Sequence, residues 1–227
     1  MLDRDLIIFD CDGVLVDTEP TTNALLADCV TQAGLPMDVE ESIRTFKGRD
    51  LNEIVTELEA RLSRKLPDFL DTFRARMFEA FETNPPPPVP GAVELLDRLD
   101  QAEHAPRRCV ASNGPVKKML ASLTGANLLH RFAAPDAPGH IDGHAIFSAY
   151  DVGVWKPEPD LFLHAAGAMG AQPEACLVIE DSASGVRAAR RAGMRVVALA
   201  GLTPEPVLRE AGAHEVIHHL GALLPGA

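Results

Sequence analysis

Aromatic side chains are scarce in this chain. One Trp and one Tyr stand among 227 residues, with nine Phe beside them. Ala and Leu fill the space instead, which favours helices. Cysteine is sparse too. Cys11, Cys29, Cys109 and Cys176 have neither the spacing of a zinc site nor that of a redox pair. A chain this long does not need disulfides, so the four are expected as free thiols in a reducing cytoplasm. Long apolar runs are missing. The N-terminal run, Leu6 to Phe9, stops at Asp10, too short for a signal peptide or a membrane span. Basic residues are in deficit, 21 Lys and Arg against 33 Asp and Glu, for a formal net charge of −12. Such a chain repels the phosphate backbone of nucleic acids and the surface of anionic membranes. Neither is expected as a partner, and a monomer is expected. A small anionic substrate stays open, because a local cationic pocket or a bound metal overrides net charge.

What is present describes a globular enzyme-sized chain. Apolar residues make up 46% and charged residues 24%, enough for a core and against wholesale disorder. The length suits one large domain or two small ones.

Hydrophobic periodicity then divides the chain. Leu6-Ile7-Ile8-Phe9 reads as a strand buried on both faces, and Asp10-Cys11-Asp12-Gly13 as the turn that ends it. From about 18 to 83 the period becomes helical. Leu25, Leu26, Cys29, Val30 and Ala33 share one face, Leu51, Ile54, Val55, Leu58 and Leu62 a second, and Leu70, Phe73, Met77 and Phe81 a third. A shorter helix is expected over Val39 to Phe46. Asn84 to Gly91 holds five prolines and reads as a stiff connector. Beyond it, strands at 107–112, 145–148, 177–179, 196–199 and 215–217 alternate with helices at 91–101, 115–124, 158–169 and 184–192. Residues 133–145 read as a loop. Alternation of this kind means a parallel sheet covered by helices on both faces. The expected fold is therefore α/β. A Rossmann-like core of residues 1–15 and 90–227 is interrupted by an all-helical cap of residues 16–89. The insert leaves the chain just after the first strand, at the sheet edge where such folds bind ligands.

Four short segments end strands or follow them closely: Asp10-x-Asp12-Gly13, Ser112-Asn113-Gly114, Lys156-Pro157 and Glu180-Asp181-Ser182. Alone, each is an ordinary turn, cap or solvated loop. Together they supply the parts of a phosphoryl-transfer site. Converging carboxylates need a cation, and oxygen-only ligands suit magnesium. One aspartate can attack phosphorus and a second can move protons, while a lysine and a hydroxyl hold the phosphoryl oxygens.

In order and spacing, these segments resemble the four motifs of the haloacid dehalogenase superfamily of phosphatases, over essentially the whole chain. The resemblance implies Asp10 as nucleophile and Asp12 as acid/base. It implies Mg2+ held by Asp10, the Asp12 carbonyl and Asp181, with Glu180 direct or through water. Ser112, Asn113 and Lys156 would hold the phosphoryl group. Phe46-Lys47-Gly48, Ser112-Asn113-Gly114-Pro115 and Trp155-Lys156-Pro157 are similar to the bacterial branch acting on 6-phosphogluconate. Glu19, Lys47, Gly48 and Arg49 are then expected in the cap as substrate-binding residues, Lys47 or Arg49 against a substrate carboxylate. The expected function is Mg-dependent hydrolysis of a small sugar or sugar-acid phosphate. The alternative is a phosphosugar mutase like the beta-phosphoglucomutases. Those relatives carry a cap histidine twelve residues after the nucleophile, where this chain has Thr22, and an arginine where it has Leu51.

Overall fold

A computed structural model describes residues 4–46, 49, 51–134, 136 and 138–224. The chain divides into two compact units, one of residues 1–17 and 87–227 and one of residues 18–86.

The first unit is built on a sheet of six parallel strands: β1 (Leu6–Phe9), β2 (Arg107–Ser112), β3 (Ile146–Ser148), β4 (Cys176–Glu180), β5 (Arg195–Leu199) and β6 (Glu215–Ile217). Their order across the sheet is β3-β2-β1-β4-β5-β6, so β1 lies centrally between β2 and β4. Side chains alternate faces along a strand. Leu6 and Ile8 of β1 enter one core with Cys109, Ala111, Val178 and Val196. Ile7 and Phe9 enter the other with Val110, Leu177, Ile179 and Val197. Two cores, one per face, explain why β1 and β4 are continuous apolar runs rather than alternating ones. Helices cover both faces. Leu161 and Phe162 of one helix and Val186 of another pack on the first core, and Leu95, Leu96, Met119 and Leu123 on the second.

The second unit is helical: α1 (Glu19–Gln32), α2 (Val39–Phe46), α3 (Leu51–Leu62) and α4 (Phe69–Thr83). It is inserted after β1, as a cap of the expected kind. Its core takes Leu26, Val30, Phe46, Ile54, Leu58, Phe73, Met77 and Phe81. One residue of the expected α4 stripe differs: Phe69 is buried and Leu70 only half-buried. Spacing of four from Phe69 to Phe73, Met77 and Phe81 keeps those side chains on one face.

After the insert the first unit continues with α5 (Ala92–Asp100), α6 (Val116–Gly125), α7 (Ala149–Val152), α8 (Asp160–Ala168), α9 (Ala183–Arg191) and α10 (Glu205–Glu210). The proline connector returns along the outgoing one. Asp17 N–H donates to the Pro87 carbonyl at 2.9 Å and Val89 N–H to the Leu15 carbonyl at 3.0 Å. Pro88 faces Val16 in an antiparallel bridge. Proline lacks a donor but keeps its carbonyl, so the run can accept at Pro87 while Val89 supplies the donor. All four cysteines are free and buried. Among the described residues no helix is long and apolar enough to cross a membrane.

Candidate active site

The site residues lie at the carboxyl ends of the central strands. Asp10 follows β1 directly, Ser112 ends β2, and Glu180 ends β4 with Asp181 next to it. Lys156 comes from the stretch between α7 and α8 and is buried. Its ammonium donates to Asp10 Oδ1 at 2.7 Å, Glu180 Oε1 at 2.7 Å and the Ala111 carbonyl at 2.9 Å. Those three bonds use all of its donors. The Phe162 ring lies below it, 4.8 Å from Nζ to the centroid. Burial pulls the ammonium's pKa down, but Asp10 and Glu180 outweigh it and the net direction is up. Lys156 stays charged.

Asn113 fixes the backbone that carries this lysine. Its Oδ1 accepts from Lys156 N–H at 2.9 Å and its Nδ2 donates to the Lys156 carbonyl at 3.4 Å. Ser112 is buried, and its Oγ accepts from Gly114 N–H at 3.1 Å.

Glu180 is the most heavily bonded acid. Its Oε2 accepts from Asp181 N–H, Ser182 N–H and Ser182 Oγ, each at 2.9 Å. Ser182 Oγ in turn caps α9 by accepting from Gly185 N–H at 3.0 Å. Gly185 is required by the approach: a Cβ there would lie 1.8 Å from Glu180 Oε1. Gly13 does the same for Asp181. Its φ is +77° and its Cβ would lie 2.2 Å from Asp181 Oδ2.

Oxygens of Asp10, Glu180 and Asp181 lie within 4.8 Å of one another. Burial lifts the Asp10 carboxyl to about 7 despite Lys156, with Glu180 and Asp12 adding to the rise. Burial, then Glu180 and Asp10, push Asp181 well above the carboxylate range. The carboxylates of Asp10, Asp12, Glu180 and Asp181 are met by two ammoniums, Lys156 and Lys118. With all four ionised, two negative charges would be left unmatched; burial and that mismatch are why Asp10 and Asp181 hold their protons to higher pH without a cation. An oxygen-only donor set with that deficit fits a hard divalent cation.

Asp12 is half-buried, and its Oδ2 lies 2.9 Å from Lys118 Nζ. Lys118 lies outside the four sequence motifs. Burial lowers its pKa, and Asp12 reverses that, for a net rise. The arrangement places a buried carboxylate, a second acid close in sequence and a fixed ammonium at one sheet edge. Such a set can attack phosphorus, move a proton and hold charge.

The structure brings Asp10, Glu180, Asp181 and Lys156 together and places Ser112 and Asp12 around Gly114. The remaining expected residues belong to the helical unit. There Glu19 Oε2 accepts from Asn23 Nδ2 at 2.6 Å. Arg49 binds Glu57 at 2.6 Å and lies over the Phe46 ring. Lys47 and Gly48 lie outside the described residues.

A family profile described as haloacid dehalogenase-like hydrolase matches residues 4–193. The chain belongs to this family. The order and spacing of the four motifs point to the same family. Among its relatives, 6-phosphogluconate phosphatase of Escherichia coli (strain K12) is 35% identical over 194 residues, 85% of this chain and 80% of that protein. Hexitol phosphatase A of the same organism is 31% identical over 215 residues, 94% of this chain and 90% of that protein. A crystal structure of a haloacid dehalogenase-like protein from Agrobacterium tumefaciens (strain C58) superposes with a TM-score of 0.78. Its identity is 34%, covering 97% of this chain and 96% of the other.

Proposed function

We propose that this chain hydrolyses a small sugar or sugar-acid phosphate by way of a phosphoryl group carried on Asp10. The chain is a haloacid dehalogenase-like phosphatase, a phosphoric monoester hydrolase. The observation that carries the reading of the site is the buried Asp10 carboxylate, held by Lys156 beside Glu180 and Asp181.

Asp10, the Asp12 carbonyl and Asp181 would hold Mg2+, with Glu180, whose oxygens are already bonded, behind them. When bound, the ion supplies positive charge that lets a carboxylate approach a phosphate dianion. The remaining steps belong to the chain's own residues. Lys156 holds one Asp10 oxygen and keeps the nucleophile aimed. The other oxygen attacks phosphorus, and the ester P–O bond breaks. Asp12 gives its proton to the departing alcohol oxygen. A water then attacks phosphorus and returns a proton to Asp12, freeing Asp10 and inorganic phosphate. Ser112 and Lys156 offset charge on the phosphoryl oxygens during both steps.

Two observations support a sugar-type substrate: the likeness to a phosphatase of 6-phosphogluconate and the likeness to a hexitol phosphatase. The place of Thr22 disfavours a mutase. The test is phosphate release from a panel of sugar and sugar-acid phosphates, with Mg2+ and with EDTA. Release that needs Mg2+ and is strongest on members of this panel, 6-phosphogluconate first among them, is expected. A rearranged sugar phosphate with no free phosphate would overturn the reading.

A further inference from the structure

Lys118 sits against a local rule. It lies in the first turn of α6, which holds no acidic residue. A helix N-terminus carries partial positive charge, so a cation there is disfavoured. The side chain is 16% exposed, so water offsets little of that. The largest compensation comes from Asp12, whose Oδ2 lies 2.9 Å from Nζ. A residue that breaks a local preference in favour of one specific partner marks a functional position.

Gly114 supplies a second, independent observation. A Cβ on it would lie 3.4 Å from Ser112 Oγ, 3.7 Å from Lys118 Cδ and 3.8 Å from Asp12 Oδ2. Lys118 therefore shares one small space with the acid/base and with Ser112. The helix anchors it there. Lys118 N–H donates to the Pro115 carbonyl at 3.0 Å, and α6 packs Met119 and Leu123 into the core.

We infer that Lys118 is a positioning residue for Asp12. By holding one carboxylate oxygen it keeps the group turned toward the leaving oxygen and afterwards toward the attacking water. The inference rests on Asp10 as nucleophile and Asp12 as acid/base. In the first step the Asp10 oxygen bonds to phosphorus, the ester bond breaks, and the Asp12 proton goes to the alkoxide. In the second, water's oxygen bonds to phosphorus, the Asp10–phosphorus bond breaks, and a water proton goes to Asp12. Lys118 exchanges no proton in either step.

The test compares wild type, Lys118→Met and Lys118→Arg on p-nitrophenyl phosphate and on the best sugar phosphate, by rapid mixing. Nitrophenolate departs without a proton, whereas an alkyl alcohol needs one. In Lys118→Met the aryl ester is expected to give a burst of one nitrophenolate per active site and then slow turnover, because only the second step waits on Asp12. The sugar phosphate gives no burst. Its kcat falls on the order of tenfold to a hundredfold with KM nearly unchanged, the scale of a misplaced catalytic group. Lys118→Arg restores most of the rate. A structural role alone would scale every rate down by the inactive fraction, with no burst. Wild-type time courses in Lys118→Met on both esters, or no rescue by arginine, overturn the inference. Wild type that releases phosphate from neither ester overturns the reading of the site, and this inference with it.

Discussion

Burial and the carboxylates of Glu180 and Asp10 push the Asp181 carboxyl well above its ordinary 3.8. In the unfolded chain the group loses its proton near that value, whereas the folded protein keeps it to higher pH. Between the two the folded state binds more protons, so stability falls as pH rises from about 4 in the absence of a cation. Asp181→Asn cannot ionise and should raise the melting temperature of the EDTA-treated protein at pH 7. A gain of about 1 kcal/mol corresponds to roughly 2–4 °C for a chain this size. Mg2+ is expected to stabilise wild type, and the same variant should lose that gain. A lower melting temperature in EDTA would contradict the account. Gly185 tests the support around this acid group. A Cβ placed 1.8 Å from Glu180 Oε1 displaces the carboxylate that orients Lys156. Gly185→Ala should lower phosphate release at least about tenfold and destabilise by about 1–3 kcal/mol, read by assay and by thermal melting. Unchanged activity would mean that Glu180 does not set the lysine. At this scale the sequence reveals the acids because they end or directly follow strands, and Lys156 because its Lys-Pro pair stands in order between the other motifs. It hides Lys118, whose partner Asp12 is more than a hundred positions away and whose place in an acid-free first turn is shared with Lys117.

The central strands β1 and β4 are legible because a sheet buried on both faces writes unbroken apolar runs, as in Leu6 to Phe9 and Cys176 to Ile179. The short helices are not. Helix α7 has four residues and α10 six, too few turns to show a period. In α4 the adjacent Phe69 and Leu70 both fit an apolar stripe, and packing chooses Phe69. That choice is measurable. Phe69→Ala should destabilise the helical unit by about 3–5 kcal/mol, the range for a buried Phe. Leu70→Ala should cost clearly less, since Leu70 is half-buried. A loss in Leu70→Ala as large as that in Phe69→Ala, read by chemical denaturation, would contradict this packing.

For the molecule as a whole, the motifs suffice to indicate the family, since their order along 227 residues follows the topology of one parallel sheet. The substrate is not legible in the same way. Of the residues the sequence offers for substrate binding, Glu19 and Arg49 are engaged by Asn23 and Glu57. A net charge of −12 says nothing of the local field, because Lys156 and Lys118 concentrate positive charge among the acids. The central claim is that phosphoryl transfer passes through Asp10, and one measurement addresses it directly. Enzyme mixed with Mg2+ and a sugar phosphate is quenched in acid within a turnover, and its peptides are mapped by mass spectrometry. The account predicts one phosphoryl group on the peptide holding Asp10, absent from Asp10→Asn. Turnover with no phosphorylated peptide, or with the group on another residue, would contradict it.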